Sequence, residues 1–253
     1  MPASDAEHFY GYYNTDGTWD FTDCHFHGGT FFSMQPIVSV TNSLFHRVTT
    51  WFWDNFGDNT NLRPTFRSCL FRGGRLDLDH TATADAWTFK DNLFDQTTIT
   101  TNGVSTANYN AYTTNVTRLP PHGANDILLA TSNLVYEPGT LGRFYLPTNS
   151  LLINAGSTYA TNVGLHQFTT TTNQVVETNT VLDLSFHWAG LNSPFSTGLP
   201  FDADGDGYAD WEEDKNGNGA YNAASGETDW KTYNSKLGIG TNGPGLVTFT
   251  PLK

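Results

Sequence analysis

Four phenylalanines, Phe26, Phe45, Phe71 and Phe94, anchor four lines that can be laid over one another: "WDFTDCHFHGG", "VSVTNSLFHRV", "PTFRSCLFRGG" and "WTFKDNLFDQT". Their spacings are 19, 26 and 23 residues. Seven and five residues ahead of each Phe stand Trp19 and Phe21, Val38 and Val40, Pro64 and Phe66, Trp87 and Phe89. That alternation puts one face of a short strand inward. A small or polar pair separates strand from Phe in every line: Asp23-Cys24, Asn42-Ser43, Ser68-Cys69 and Asp91-Asn92. Such residues favour a sharp bend. A weaker strand follows the Phe, as in "TWFWDN" and "RLDLDH". One such unit cannot bury its own inner face, whereas stacked copies can. The repeat therefore predicts an all-β solenoid. Cys24 and Cys69 fall at the same bend position two coils apart, which at about 4.8 Å per coil puts them about 10 Å apart, beyond disulfide reach.

These lines resemble coils of a right-handed parallel β-helix of the pectate-lyase-like type. The repeat is lost over 100–135, a stretch rich in Asn, Thr and Gly that reads as an irregular excursion from the solenoid. Two later segments, "LGRFYLPTNSLLINAGS" (Leu141 to Ser157) and "TVLDLSFHW" (Thr180 to Trp188), resemble the "SPAINAGS … DIGAYE" ending that follows β-helix coils in large secreted bacterial proteins, sometimes called a choice-of-anchor domain. The matching residues are Leu152, Ile153, Asn154, Ala155, Gly156 and Ser157, then Asp183, Leu184, Ser185, Phe186 and His187. Ser185 stands where that pattern has Gly. The resemblance implies about four recognisable coils plus a closing segment over 1–190, with a second strand closing the stack. It implies further that the chain is the C-terminal part of a secreted, extracellular bacterial protein.

The formal charge is −13, and it is not evenly spread. The stretch "DADGDGYADWEEDKNGNGAYNAASGETDW" (Asp202 to Trp230) carries nine acids against one lysine, a net −8, and leaves −5 for the other 224 residues. The acidity is a local device. Counted from Asp202 as position 1, Asp204, Asp206, Tyr208 (through its carbonyl), Asp210 and Glu213 fall at positions 3, 5, 7, 9 and 12, with Gly207 at position 6. This is the ligand spacing of an EF-hand calcium loop, in which Asp210 acts directly or through water and Glu213 binds bidentately. A second loop follows with Asp214, Asn216, Asn218, Gly219, Ala220 (carbonyl) and Asn222 at positions 1, 3, 5, 6, 7 and 9. Its position 12 is Ser225. Either the exit is looped out so that Glu227 closes the site, or that site is weaker. The preceding "LNSPFSTGLPF" has two prolines and leaves no regular entering helix. The tail, 191–253, thus resembles the helix-poor calcium loops of thrombospondin type 3 repeats and dockerins, which implies structural calcium.

Other chemistry is sparser. His25 and His27 in "CHFH" share a strand side, as a surface pair or as two ligands of a transition metal. Trp51 and Trp53 share another, as a sugar-stacking platform or as a surface covered by the 100–135 excursion. Asp77 and Asp79 in "RLDLDH" are candidate catalytic or calcium-binding acids, or members of a salt-bridged ladder with Arg75. Few bases stand near Asp77, Asp79, Asp91 and Asp95, which weighs against a lyase, whose developing anion needs cationic support. There is no basic nucleic-acid footprint, no apolar run that spans a bilayer, no Gly-rich phosphate loop and no nucleophile elbow. Two function classes remain. One is a non-catalytic extracellular module for adhesion, display or assembly, with a polysaccharide or cell-surface glycan, or another copy at a β-helix end, as partner. The other is a polysaccharide-active enzyme working in a groove along the helix.

Overall fold

A computed structural model describes residues 7–11, 18–34, 37–53, 63–80, 87–101, 105–192 and 198–233. The chain forms two compact units that interleave in sequence, one of residues 1–136, 149–157 and 182–187, the other of 137–148, 158–181 and 188–253.

The first unit is a parallel β-solenoid of about five turns. A strand β1 (Glu7–Gly11) precedes the first complete coil of β2 (Thr18–Thr22), β3 (His25–His27) and β4 (Thr30–Ser33). The second coil is β5 (Ile37–Thr41), β6 (Leu44–His46) and β7 (Thr49–Trp53), and the third is β8 (Thr65–Arg67), β9 (Leu70–Arg72) and β10 (Arg75–His80). The fourth is β11 (Trp87–Lys90), β12 (Leu93–Asp95) and β13 (Thr98–Thr101). Strands β14 (Ser105–Asn108), β15 (Ala111–Tyr112) and β16 (Ile127–Leu128) follow. Corresponding strands pair in parallel into three sheets, ordered β14-β11-β8-β5-β2, β16-β15-β12-β9-β6-β3 and β1-β4-β7-β10-β13.

The bends explain the small polar pairs. Between the first and second strand of each coil stands one residue at positive φ: Asp23 (57°), Asn42 (44°), Ser68 (53°), Asp91 (62°) and Tyr109 (57°). Asp and Asn tolerate this left-handed conformation because their side chains bond neighbouring backbone. The residue after it reaches along the stack. Asn92 Oδ1 accepts from Cys69 N–H at 3.0 Å, Asn92 Nδ2 donates to Phe66 O at 2.9 Å, and Asn110 Nδ2 donates to Phe89 O at 2.9 Å. A second bend follows the Phe strand, with Arg47, Gly73 and Gln96 at positive φ. In the third coil Gly74 continues that bend, and a Cβ there would lie 2.2 Å from Val48 O, so only glycine fits.

The aligned phenylalanines form one inward ladder. Ring centroids are 4.9 Å apart for Phe26–Phe45, 4.8 Å for Phe45–Phe71 and 5.0 Å for Phe71–Phe94, all stacked. Tyr112 extends the ladder, stacked on Phe94 at 5.1 Å. The solenoid thus runs one coil further than the sequence repeat, into the stretch read as an excursion. The repeat is hard to see there because Tyr replaces Phe, and the coil's third side carries no strand among the described residues. Cys24 and Cys69 are both free thiols.

The "INAGS" and "LDLSFH" segments do not add the closing strand that the resemblance implies. They pair loosely with each other, through Gly156 N–H to Leu182 O at 2.7 Å and Leu184 N–H to Leu152 O at 2.9 Å. Both then brace the bend column from the side. Asn42 exchanges two hydrogen bonds with the backbone of His187 (2.7 and 2.9 Å), and Asp91 accepts from Ser157 N and Oγ (2.7 and 2.8 Å). Backbone groups that a closing strand would need are taken by bend side chains instead. Ser185 sits at φ 151°, fully buried and with its hydroxyl unpartnered, in the position where the family pattern has Gly.

The described residues of the second unit include a short antiparallel strand pair, β17 (Phe168–Thr169) with β18 (Trp188–Ala189). Its apolar centre includes Tyr145 stacked on Trp188 at 5.2 Å, with Leu146, Leu165 and Phe168 also buried.

Replacing Phe71 by Ala should cost about 3–5 kcal/mol in chemical denaturation, since it opens a cavity in the middle of the ladder. Ser185→Gly should instead raise stability by about 1 kcal/mol, because relief of backbone strain exceeds the entropy lost. A destabilised Ser185→Gly protein would show that the buried hydroxyl is needed.

Candidate functional site

The acidic stretch folds as two consecutive loops with one hydrogen-bond scheme. In the first, Asp202 accepts from Gly205 N–H at 2.7 Å and Gly207 N–H at 3.1 Å, Asp204 Oδ1 accepts from Asp206 N–H at 3.0 Å, and Asp206 Oδ1 accepts from Tyr208 N–H at 2.9 Å. In the second, Asp214 accepts from Gly219 N–H at 2.7 Å, Asn216 Oδ1 from Asn218 N–H at 3.0 Å, and Asn218 Oδ1 from Ala220 N–H at 2.8 Å. Positions 1, 3 and 5 thus fold the backbone inward through their own side chains, a local geometry that Asp and Asn impose wherever they alternate. The sharp turns fall on Gly205 and Gly207, then Gly217 and Gly219, all at positive φ. The glycine at position 4 of each loop, Gly205 and Gly217, is repeated twelve residues apart and is a further sequence signal of the shared loop geometry.

The single helical turn α1 (Asp210–Glu213) carries the last two acids of the first loop inward. Asp210 Oδ1 accepts from Ala203 N–H at 2.7 Å, which ties the end of the loop to its start. Oxygens of Asp202, Asp204 and Asp206 lie within 4.8 Å of one another. Asp206, Asp210 and Glu213 are buried. Asp204 Oδ2 and Asp206 Oδ2 are shielded from solvent and have no hydrogen-bond partner, and both oxygens of Glu213 are shielded with only the Thr228 hydroxyl alongside. Buried carboxylate oxygens without donors are costly. Burial and the neighbouring acids push Glu213 up to about 7, with only the Thr228 hydroxyl alongside favouring its charged form. Burial, against the Ala203 N–H bond and with the charges of Asp202, Asp204 and Asp206, pushes Asp210 up to about 6. Asp204 is raised as well, chiefly by desolvation. A hard divalent cation needs such oxygens, close together and otherwise unsatisfied.

In the second loop Ser225 lies in a short 3₁₀ turn, Ala223–Ser225, that loops outward. Glu227 is the residue that turns back. Its Oε2 accepts from Asn222 N–H at 2.7 Å and its Oε1 from Asn216 N–H at 3.3 Å, with the side chain buried. Sequence spacing did not reveal His166, whose Nε2 lies 2.9 Å from Asp214 Oδ2. Both are buried, and His166 is held below its ordinary value by desolvation despite Asp214. Nothing in the sequence near residue 214 points to a partner 48 positions earlier.

The remaining candidates are scattered. Trp51 is half-buried, edge-on to Phe32 at 5.0 Å. Trp53 and Asp79 lie on β7 and β10, and their side chains fall outside the described residues. Asp77 is ion-paired with Arg75 at 2.7 Å. Asp95 is buried, paired with Arg72 at 2.9 Å and bonded by Tyr136 Oη at 2.9 Å, while buried Asp91 faces Arg67 at 3.8 Å. A cavity of about 440 Å³ beside the fifth coil, lined by Tyr112, Thr113, Val116, Arg118, His122 and Leu128, gathers none of the expected residues.

What the geometry defines is a class, a parallel β-solenoid of about five turns whose chain also carries a pair of acidic Asx-folded loops. Comparison with protein-family models, curated proteins and solved structures gave no match. Among the described residues, no helix is long and apolar enough to cross a membrane.

The raised carboxylates set a pH signature. Their values in the folded loop exceed those of an unfolded chain, so without metal the loop is favoured at low pH and loses that stability as pH rises through about 7. Cation binding must expel the Glu213 proton. Calorimetry in buffers of different ionisation enthalpy should therefore read release of about one proton near pH 6 and almost none near pH 8.5. Glu213→Gln should leave only the smaller release that Asp210 contributes, and weaken binding.

Proposed function

We propose that this chain is an extracellular, calcium-stabilised β-solenoid module that serves adhesion, surface display or assembly and has no catalytic centre of its own. In this reading the coils are related to the pectate-lyase-like β-helices of secreted bacterial proteins. The tail takes calcium in the manner of thrombospondin type 3 and dockerin loops. Asp202, Asp204, Asp206, the Tyr208 carbonyl, Asp210 and Glu213 hold the first ion. Asp214, Asn216, Asn218, the Ala220 carbonyl, Asn222 and Glu227 hold the second, a weaker site because neutral amides replace acids. The observation that carries the calcium reading is the set of buried oxygens on Asp204, Asp206 and Glu213, with Asp204 Oδ2 and Asp206 Oδ2 lacking a donor and those of Glu213 having only the Thr228 hydroxyl alongside. Acidic side chains do not withdraw from water into one another's company unless something positive offsets them.

The scaffold reading is supported by the state of the solenoid's acids. A glycosidase needs two carboxyl groups free to act on one bond. Asp77, Asp91 and Asp95 are each engaged by an arginine. A flat stack of parallel coils offers instead a long, regular surface, on which the face bearing Trp51 and Asp77 is the candidate for a polysaccharide or cell-surface glycan.

Chelator should make residues 200–233 sensitive to limited proteolysis while residues 18–101 stay protected, because the solenoid buries its own core. Calcium should restore protection and magnesium should do so poorly, since its small octahedral shell does not suit a bidentate Glu. At a hundredfold excess over Kd, calcium should add about 2.7 kcal/mol to the unit it binds. Asp202→Ala with Asp206→Ala should reproduce the chelator pattern. An identical pattern with calcium, with chelator and in the double variant rules out the calcium assignment. Incubation with a panel of acidic and neutral polysaccharides should give binding without turnover. Cleavage that disappears in Asp77→Asn would overturn the scaffold reading in favour of the enzyme.

A further inference from the structure

The histidine pair of "CHFH" gains a partner in the folded protein that its sequence does not show. Strands β3 and β6 pair in parallel with His27 directly opposite His46. Both side chains point away from the phenylalanine ladder, since the intervening residues Phe26 and Phe45 point into it. The backbone holds this register, with Gly28 N–H donating to His46 O at 2.8 Å. The two Nδ1 atoms lie 3.4 Å apart, the rings are 5.6 Å between centroids, and their planes are 86° apart.

That separation allows two uses of the pair. A hydrogen bond from a ring N–H is usually about 2.9–3.0 Å long, so 3.4 Å is a long one. Two nitrogens bound to one tetrahedral zinc at about 2.0–2.1 Å are separated by about 3.3–3.4 Å. The observed spacing is a long one for the first use and falls at the value for the second, with the same nitrogen, Nδ1, offered by both rings.

We propose that His27 and His46 form a two-histidine site for a nitrogen-preferring divalent cation of the zinc, copper or nickel class, on the outer face of the β3–β6 pair. Each imidazole ligates through Nδ1 as the neutral ring and keeps its proton on Nε2. The remaining coordination positions go to water or to a donor on another molecule. His25 is on the same side of β3, but its ring packs edge-on against Phe186 at 4.9 Å and is 6.3 Å from that of His27, so it is not a ligand of this site. The neighbour on the other side, Arg72, has its charge matched by Asp95 at 2.9 Å, which removes much of its repulsion toward a cation. Calcium does not compete here, because it takes oxygen ligands. This site stands independently of the acidic loops and of any role assigned to them.

The test is zinc titration by calorimetry with calcium in excess, so that the acidic loops are occupied if they bind it. One zinc per chain should bind to the wild-type protein, and His27→Ala or His46→Ala should each weaken it at least about tenfold by removing one of two ligands. His25→Ala should change the affinity less than about twofold. His27 is exposed and His46 half-buried, so neither change endangers folding, and circular dichroism checks this. With copper(II) in place of zinc, nitrogen hyperfine splitting in the electron paramagnetic resonance spectrum should be lost in the His27→Ala/His46→Ala double variant. Absence of zinc binding overturns the proposal, as does binding that the double variant leaves unchanged.

Discussion

Each coil of the solenoid turns through single residues in the left-handed conformation, and the rest of the structure depends on those turns lying one above another. A non-glycine residue there costs about 1 kcal/mol or more in isolation. The stack offsets that cost by repetition. Asp23, Asn42, Ser68, Asp91 and Tyr109 occupy the same bend in successive coils, so the strands on either side start in register. Once the register is set, Phe26, Phe45, Phe71, Phe94 and Tyr112 superpose inside at about the spacing of neighbouring strands. The bend column also recruits the later segments. Asn42 and Asp91 each turn a side chain outward to bind the backbone of residues far along the chain.

The two acidic loops of the second unit use the same physical device to a different end. Side-chain oxygens of Asp and Asn capture nearby backbone N–H groups in both places. In the solenoid Asp91 is closed off by Ser157, and Asp95 holds Arg72 and Tyr136 through Oδ2 while its Oδ1 is buried without a partner. In the first loop Oδ2 of Asp204 and of Asp206 are left without donors, and Glu213 has only the Thr228 hydroxyl alongside. What marks the loop acids as candidate ligands is that several such oxygens gather in one place with no arginine among them, whereas Asp95 is ion-paired with Arg72.

Exposed strand faces add a third use of register. Because parallel pairing brings equivalent positions of successive coils together, a residue type that recurs in the repeat becomes a cluster on the surface. His27 and His46 are 19 residues apart in sequence and 3.4 Å apart at their Nδ1 atoms. The same logic brings Arg72 beside Asp95.

The amino-acid sequence by itself determined the repeating unit, the inward phenylalanines, the bend positions and the spacing of both acidic loops. All of these are local: period-two alternation, turn-forming side chains and ligand offsets act over fewer than about fifteen residues. Tertiary structure alone decided what rests on long-range contact. It decided that the solenoid takes a fifth coil in which Tyr112 stands for Phe, and that the expected closing strand is a lateral brace. It also decided that Glu227 returns to its loop past a short 3₁₀ turn, that His166 meets Asp214, and that His27 meets His46. The fifth coil, the brace and the histidine contacts depend on pairing between residues distant in sequence, fixed only when the coils and loops stack, and the return of Glu227 depends on its carboxylate accepting from Asn216 and Asn222 N–H.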